Sequence, residues 1–425
     1  MSPHKGRLRA RTIIGGGALA TVLFAAVGCS GASPGGGSGK GATPGYDPAT
    51  KTFTVTAILP LSGALAPAGT SIAAGEKLYF AALNDRGGVN GEYKLEFKAE
   101  DSQYNPQVTV PLYNRIKNQN ILISGLLGTA IINTLDPQLK TDGIMAVADS
   151  SSGLILNKPN LLPYGSSTQT NMINLAAYAA DKLGHKDDLF CSVTQADDLG
   201  KENRDGVQYA VKAFGLKFGV NASVQQGDTN FTPQIQQLKS AGCDVVMLGA
   251  TTGQVPGLIS AAVQLDFNAQ WMGQSNVYDP SFATSPIAPY LQKHFLTSLI
   301  GVDWENDAQG VAQLRDAVQK YGPDTKPSSF TQLGFAHGML VEAILKKAIE
   351  NQDLTRAGIM KASAQVGDFD YGGILPKFAY NAPEDRKPPY VTSIFKVNPD
   401  KPMGVEPEVI DYGVPEARTY GESQG

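Results

Sequence analysis

With 425 residues, 42% of them hydrophobic, the chain is too long for one ordinary core and too apolar to stay unfolded. Its formal charge of −4 at pH 7, without basic clusters beyond the first dozen positions, excludes the electrostatic footprint of a nucleic-acid binder. The three cysteines and four histidines are too scattered to complete a zinc cage, so neither a metal nor a cofactor is expected.

Lys5, Arg7, Arg9 and Arg11 form a basic stretch, and Ile13 to Val27 an apolar one too short to span a membrane comfortably. It ends in Ala26-Val27-Gly28-Cys29, which resembles a bacterial lipobox, with Ala26 where leucine is usual. Residues 1–28 therefore read as a lipoprotein signal peptide and Cys29 as the lipidated first residue of the mature protein. Removing that segment takes away four basic and no acidic residues, leaving a more acidic domain. Residues 29–50, rich in Gly, Ser and Pro, cannot bury enough apolar surface to fold and read as a flexible tether. The glycine-rich run up to Lys40 lacks the Ser or Thr of a phosphate loop, because Gly41 follows.

Strands and helices then alternate. Phe53 to Leu59 reads as a strand, and Thr70 or Ser71 as the cap of a helix with Ile72, Tyr79 and Leu83 on one face. A strand from Leu95 to Asp101 is followed by a helix opened by Asn105-Pro106, which Pro111 should kink or delay. Ile121–Gly125 and Ile144–Ala148 are apolar strands flanking a helix from Ile131 to Lys140. The second of them stops at Asp149-Ser150-Ser151-Ser152-Gly153, a polar turn at a strand's carboxyl end, where parallel sheets bind ligands.

The pattern restarts with a helix at Asn171–Leu183. Strands follow at Leu189–Thr194, Gly219–Gln225, Cys243–Leu248 and Trp271-Met272, with helices at Lys201–Phe214, Phe231–Ala241 and Pro256–Leu265 between them. Cys191 and Cys243 fall in or beside strands that would hold them at different heights, which favours buried free thiols over a disulfide. After Phe295–Ile300 come three helices, Ala308–Tyr321, Phe330–Glu350 and Thr355–Ala364, and a last strand at Tyr390–Val397. These late elements have no sheet of their own and must complete the two units already built.

Leu61-Ser62-Gly63, the Asn84, Gly87-Gly88-Val89, Gly91 pattern and Asp101 with Asn105-Pro106 follow one another in this frame. So do Gly143-Ile144, Asp228-Thr229 with Phe231, and Trp271-Met272-Gly273. In this order, from about Thr54 to Val397, they resemble the type I periplasmic solute-binding proteins of ABC importers, on the branch of the leucine/isoleucine/valine-binding lipoproteins. The resemblance implies an α/β fold of two doubly wound parallel-sheet lobes joined by three hinge crossings. Residues 51–169 and 301–376 would form lobe one, 170–300 and 377–412 lobe two, and 413–425 a C-terminal tail. It further implies a lipid-anchored, extracytoplasmic monomer that meets the membrane only through its lipid and an ABC permease as partner. A closed form that signals to a membrane receptor is the alternative. An exported hydrolase is disfavoured, because Ser150 to Gly153 lacks a nucleophile elbow and no histidine sits in a motif.

In the family's amino-acid binders, hydroxyls and backbone groups of lobe one hold the ligand carboxylate, and the matching residues are Thr129, Ser150 and Ser152. An acid and tyrosines of lobe two hold the ammonium, and those positions here carry Ser275, Leu199 and Thr251. The expected ligand is thus a small carboxylate, amide or polyol rather than a branched-chain amino acid, unless Asp149, Asp198 or Asp279 supplies a relocated clamp. Tyr104 and Gly128 stand where some members carry a lobe-one disulfide.

Overall fold

The computed structural model describes residues 43–63, 65–150 and 153–424. Lobe one begins with β1 (Tyr46–Asp47), β2 (Thr52–Leu59), α1 (Ala66–Asp85), β3 (Lys94–Asp101) and α2 (Pro106–Ile116). It continues with β4 (Leu122–Leu127), α3 (Thr129–Asp142), β5 (Ala146–Asp149) and β6 (Leu161–Leu162). Its sheet runs β3-β2-β4-β5-β6, all parallel, and β4 and β5 are buried along their whole length. Such continuous apolar strands are what a sheet covered on both faces requires. α1 starts several residues before the expected Thr70 or Ser71 cap, with Pro67 in its first turn, where the missing N–H does no harm. Asn105 caps α2 as expected by accepting from Gln107 N at 2.9 Å, and the helix carries Pro111 in its interior. Residues 46–47, expected in the tether, instead pair antiparallel with the start of β2, and the Tyr46 ring packs 4.9 Å from that of Phe53.

Lobe two comprises α4 (Thr168–Asp181), β7 (Leu189–Gln195), α5 (Asp198–Phe214), β8 (Lys217–Val224), α6 (Thr232–Ala241) and β9 (Val245–Gly249). α7 (Val255–Gln264), β10 (Gln270–Gly273), α8 (Ala288–His294) and β11 (Phe295–Ser298) follow. Its parallel strands run β8-β7-β9-β10-β11, the same winding as lobe one. Cys191 and Cys243 form a disulfide, contrary to the expectation of free thiols. That expectation placed Cys243 on its strand; β9 starts only at Val245, and the turn before it leaves the two Cα atoms 5.8 Å apart.

The chain returns to lobe one for α9 (Gln309–Tyr321), α10 (Ser329–Glu350), α11 (Arg356–Ser363), β12 (Gly367–Phe369) and β13 (Phe378–Tyr380). β13 pairs with β12, so the chain stays beside lobe one beyond Tyr380, past the expected crossing at 376–377. β14 (Thr392–Val397) and β15 (Val405–Tyr412) then add to β11 as the antiparallel edge of the second sheet. The expected tail is largely a helix, α12 (Pro415–Gln424), lying on α4, with Tyr420 packed 4.8 Å from Tyr209. The signal segment and Cys29 lie outside the described residues. Among the described residues no helix is long and apolar enough to cross a membrane.

Candidate functional site

In each sheet the winding reverses once, between β2 and β4 in lobe one and between β7 and β9 in lobe two. Loops leaving the carboxyl ends of strands beside such a reversal are where doubly wound sheets hold ligands. Loops from both lobes meet around one small, largely closed cavity.

On the lobe-one side Thr129 opens α3, and its Oγ1 lies 2.9 Å from Ser150 Oγ at the end of β5. Gly128 precedes it with φ 116°, and a methyl group there would stand 2.7 Å from the Tyr104 ring. Glycine at this point is therefore what lets Tyr104 pack beneath the start of α3, in the place of the absent disulfide. The first N–H groups of α3 have no partner within the helix and point its positive end toward the cavity mouth. Leu65, Ala68 and Phe330 supply apolar wall.

On the lobe-two side Asp197 caps α5 by accepting from Gly200 N at 3.0 Å, which sets Leu199 in the first turn and against the cavity. Thr251 reaches it too, with its hydroxyl 3.2 Å from Gln254 Oε1. Ser275 does not line it. Its hydroxyl accepts from Gln274 Nε2 at 2.9 Å and faces a separate crevice beside Asn171 and Ile300, while Asn276 lines the cavity in its stead. Across the rim, Asn133 Nδ2 of α3 donates to Asp198 Oδ2 of α5 at 2.9 Å. Ser152 lies outside the described residues. Four of the expected residues, Thr129, Ser150, Leu199 and Thr251, thus converge on one space.

Reasoning from sequence missed Tyr104, Phe330 and Asn276. The sequence places Tyr104 only where some relatives carry a disulfide and Phe330 only at the start of a helix, and Asn276 sits one residue beyond the position singled out. It also missed a buried charge cluster. Asp149 lines the cavity, and behind it His337 of α10 is wedged between two carboxylates. His337 Nε2 lies 2.8 Å from Asp149 Oδ1, an ion pair more than an aligned hydrogen bond, and Nδ1 lies 3.4 Å from Glu76 Oε1 of α1. All three side chains are sealed from solvent. Burial alone would lower the His337 pKa, but the attraction of Asp149 and then Glu76 outweighs it and lifts the ring to about 10. Burial pushes Glu76 upward, and His337 restrains that rise. Both ring nitrogens face acids, so neither is left to activate a hydroxyl. No group of three or more metal-ligating side chains occurs among the described residues.

The family model described as "Periplasmic binding protein" matches residues 52–401. A Leu/Ile/Val-binding protein homolog of Brucella melitensis is 26% identical over 204 residues, 46% of this chain and 54% of that protein. A leucine-, isoleucine-, valine-, threonine- and alanine-binding protein of Pseudomonas aeruginosa is 24% identical, over 55% of this chain and 62% of its own length. The chain thus spans little more than half the length of these relatives. A solved substrate-binding protein of a fatty acid ABC transporter from Thermomonospora curvata superposes with a TM-score of 0.83 at 24% identity, covering 89% of this chain and 96% of that one. A branched-chain amino acid transporter protein from Thermus thermophilus, solved with bound valine, gives 0.74 at 17% identity, over 87% and 98%. With two lobes wound alike and a family match over most of its length, this chain belongs to the periplasmic binding protein family, with the type I fold.

Proposed function

We propose that the protein is an extracytoplasmic solute-binding protein that captures a compact ligand between its lobes and hands it to an ABC-type permease. The carrying observation is the cavity, in which the paired hydroxyls of Thr129 and Ser150 at the start of α3 face Leu199, Thr251 and Asn276. Hydroxyls and helix-end N–H groups favour a carboxylate or another acceptor-rich head. At roughly 1.5–3 kcal/mol for each hydrogen bond to a charged group, three of them with apolar burial approach the roughly −8 kcal/mol of micromolar binding.

Among the described residues of the opposite wall none is an acid that would meet an α-ammonium, and an unpaired buried ammonium costs several kcal/mol. The three acids that could supply a relocated clamp are engaged elsewhere. Asp149 faces His337, Asp198 accepts from Asn133, and Asp279 caps a short helical turn through Ser281. The ligand is therefore an apolar-bodied carboxylate, or a neutral amide or polyol, rather than leucine, isoleucine or valine. The name of the Thermomonospora relative, a fatty acid binder, agrees with this preference, and that of the valine-bound Thermus protein opposes it. Lipid on Cys29 would hold the monomer at the outer face of the cell membrane, and the lobes would close about the three crossings.

A calorimetric or thermal-shift comparison of short branched and aromatic carboxylates with the branched-chain amino acids tests the ligand class. The carboxylates are expected to bind and stabilise the protein. Tight binding of leucine, isoleucine or valine would refute it. Trp304, buried just past the second crossing, reports closure through its fluorescence.

A further inference from the structure

The buried cluster behind the cavity is an unusual thing to place in lobe one. Glu76, Asp149 and His337 come from three different elements, α1, β5 and α10, and meet beneath the ligand-facing loops. The strand between them makes room for this meeting. A methyl group on Gly125 of β4 would stand 2.6 Å from Glu76 Oε1 and 3.1 Å from Asp149 Oδ2, so a larger residue there would push the carboxylates from their present places. Asp149 is the member that also lines the cavity, and its Oδ2 has no hydrogen-bond partner among the described residues. A lone buried carboxylate in that wall would attract a cationic ligand and repel an anionic one.

We propose that His337 is a specificity-determining residue, whose imidazolium cancels the Asp149 carboxylate so that the cavity rejects amines and accepts neutral or anionic head groups. The inference rests on the cavity being the ligand site. His337 touches no ligand; it acts through Asp149 and is a positioning residue for charge. Glu76 completes the arrangement from the far side of the ring. Burial raises its carboxyl above the usual carboxylate range while His337 holds that rise back, and its Oε1 faces Nδ1 at 3.4 Å. The Tyr164 ring, 5.9 Å from the imidazole, closes another side.

The test uses three probes of one skeleton, isovalerate, isoamyl alcohol and isoamylamine, titrated by calorimetry into the whole protein and its variants. His337→Gln leaves Asp149 uncompensated and is expected to raise the amine-to-acid affinity ratio by about tenfold or more. Asp149→Asn leaves the imidazolium facing only Glu76 and is expected to lower it, and the double variant should return close to the starting ratio. A purely structural role would weaken all three probes together. Ratios that stay unchanged, or that move in the same direction in both single variants, overturn the inference. If His337→Gln does not fold, Asp149→Asn decides alone, and an unchanged ratio is fatal.

Leu199→Trp, which fills the cavity, separates the two layers of the claim. Probe binding that survives it overturns the cavity as the site, whereas binding that is lost there while the charge variants leave the ratio flat overturns only the role of His337. Absence of binding by any probe to any variant counts against both. Side-chain NMR reads the same charge without ligand. The His337 ring is expected to remain imidazolium about two pH units above the ordinary histidine value, and a neutral ring there overturns the inference.

Discussion

The two walls of the cavity rest on sheets of the same winding but handle polarity in opposite ways. Lobe one puts ionisable groups under its cavity-lining loops and pairs them internally, through His337 between Glu76 and Asp149. Among the described residues lining the cavity, lobe two contributes no ionisable side chain. Asp197 turns back to cap α5, Thr251 is held by Gln254, and Leu199 presents an aliphatic surface. Covalent bracing also differs, since the Cys191–Cys243 bridge ties β7 to the turn before β9, and in lobe one Tyr104 packs on Gly128 instead. If the cavity is the ligand site, selectivity on one side rests on hidden electrostatics and on the other on the absence of ionisable lining.

The comparison is broken most directly at His337. Replacing it by Gln strands a buried carboxylate and should cost about 3–5 kcal/mol at neutral pH, measured by urea unfolding. Because the folded pKa of His337 lies above its ordinary value, its stabilising effect is complete below about pH 6.5 and fades as pH rises toward about 10. The stability gap between wild type and variant should therefore narrow on alkalinisation; a gap that widens would contradict the ion pair.

Next in size is the bridge. Cys191→Ser with Cys243→Ser opens a loop of sequence separation 52 and should remove about 2–4 kcal/mol. Hydrogen exchange should place the loss in lobe two, and equal deprotection of β4 and β5 would argue against independent bracing. Thr129→Val should weaken the bound carboxylate about tenfold with little change in melting temperature, since it removes one charged hydrogen bond and keeps the side-chain shape. For amines the informative pair is Asn276→Asp against Ser275→Asp. Only the first places its charge on the cavity, so only the first should improve amine binding. The smallest effect belongs to Asn133→Ala, which deletes one exposed contact across the rim. It should shift small-angle scattering slightly toward an open form, at a cost of about 0.5–1.5 kcal/mol.

Much of the fold was legible because parallel strands and amphipathic helices leave a local signature. β4 and β5 are unbroken apolar runs, Asn105 caps α2 from the expected position, and the order of turns carried the family resemblance. α12 escaped because its polar, glycine-containing sequence reads as tail until it is laid on α4. The disulfide escaped because its distance depends on where β9 begins, which local propensity leaves uncertain by the two residues that matter here.

By itself the sequence determined the alternation of elements and the polar turn after β5, since each follows from periodicity and turn chemistry within a short window, while Thr129 and the two-lobe division came with the family resemblance. Tertiary structure alone decided that Asn276 rather than Ser275 meets the cavity. It alone joined Glu76, Asp149 and His337, residues 261 positions apart at their extremes, in one dry cluster. No local pattern announces such a contact, because the energy of a buried charge depends on what long-range packing brings beside it.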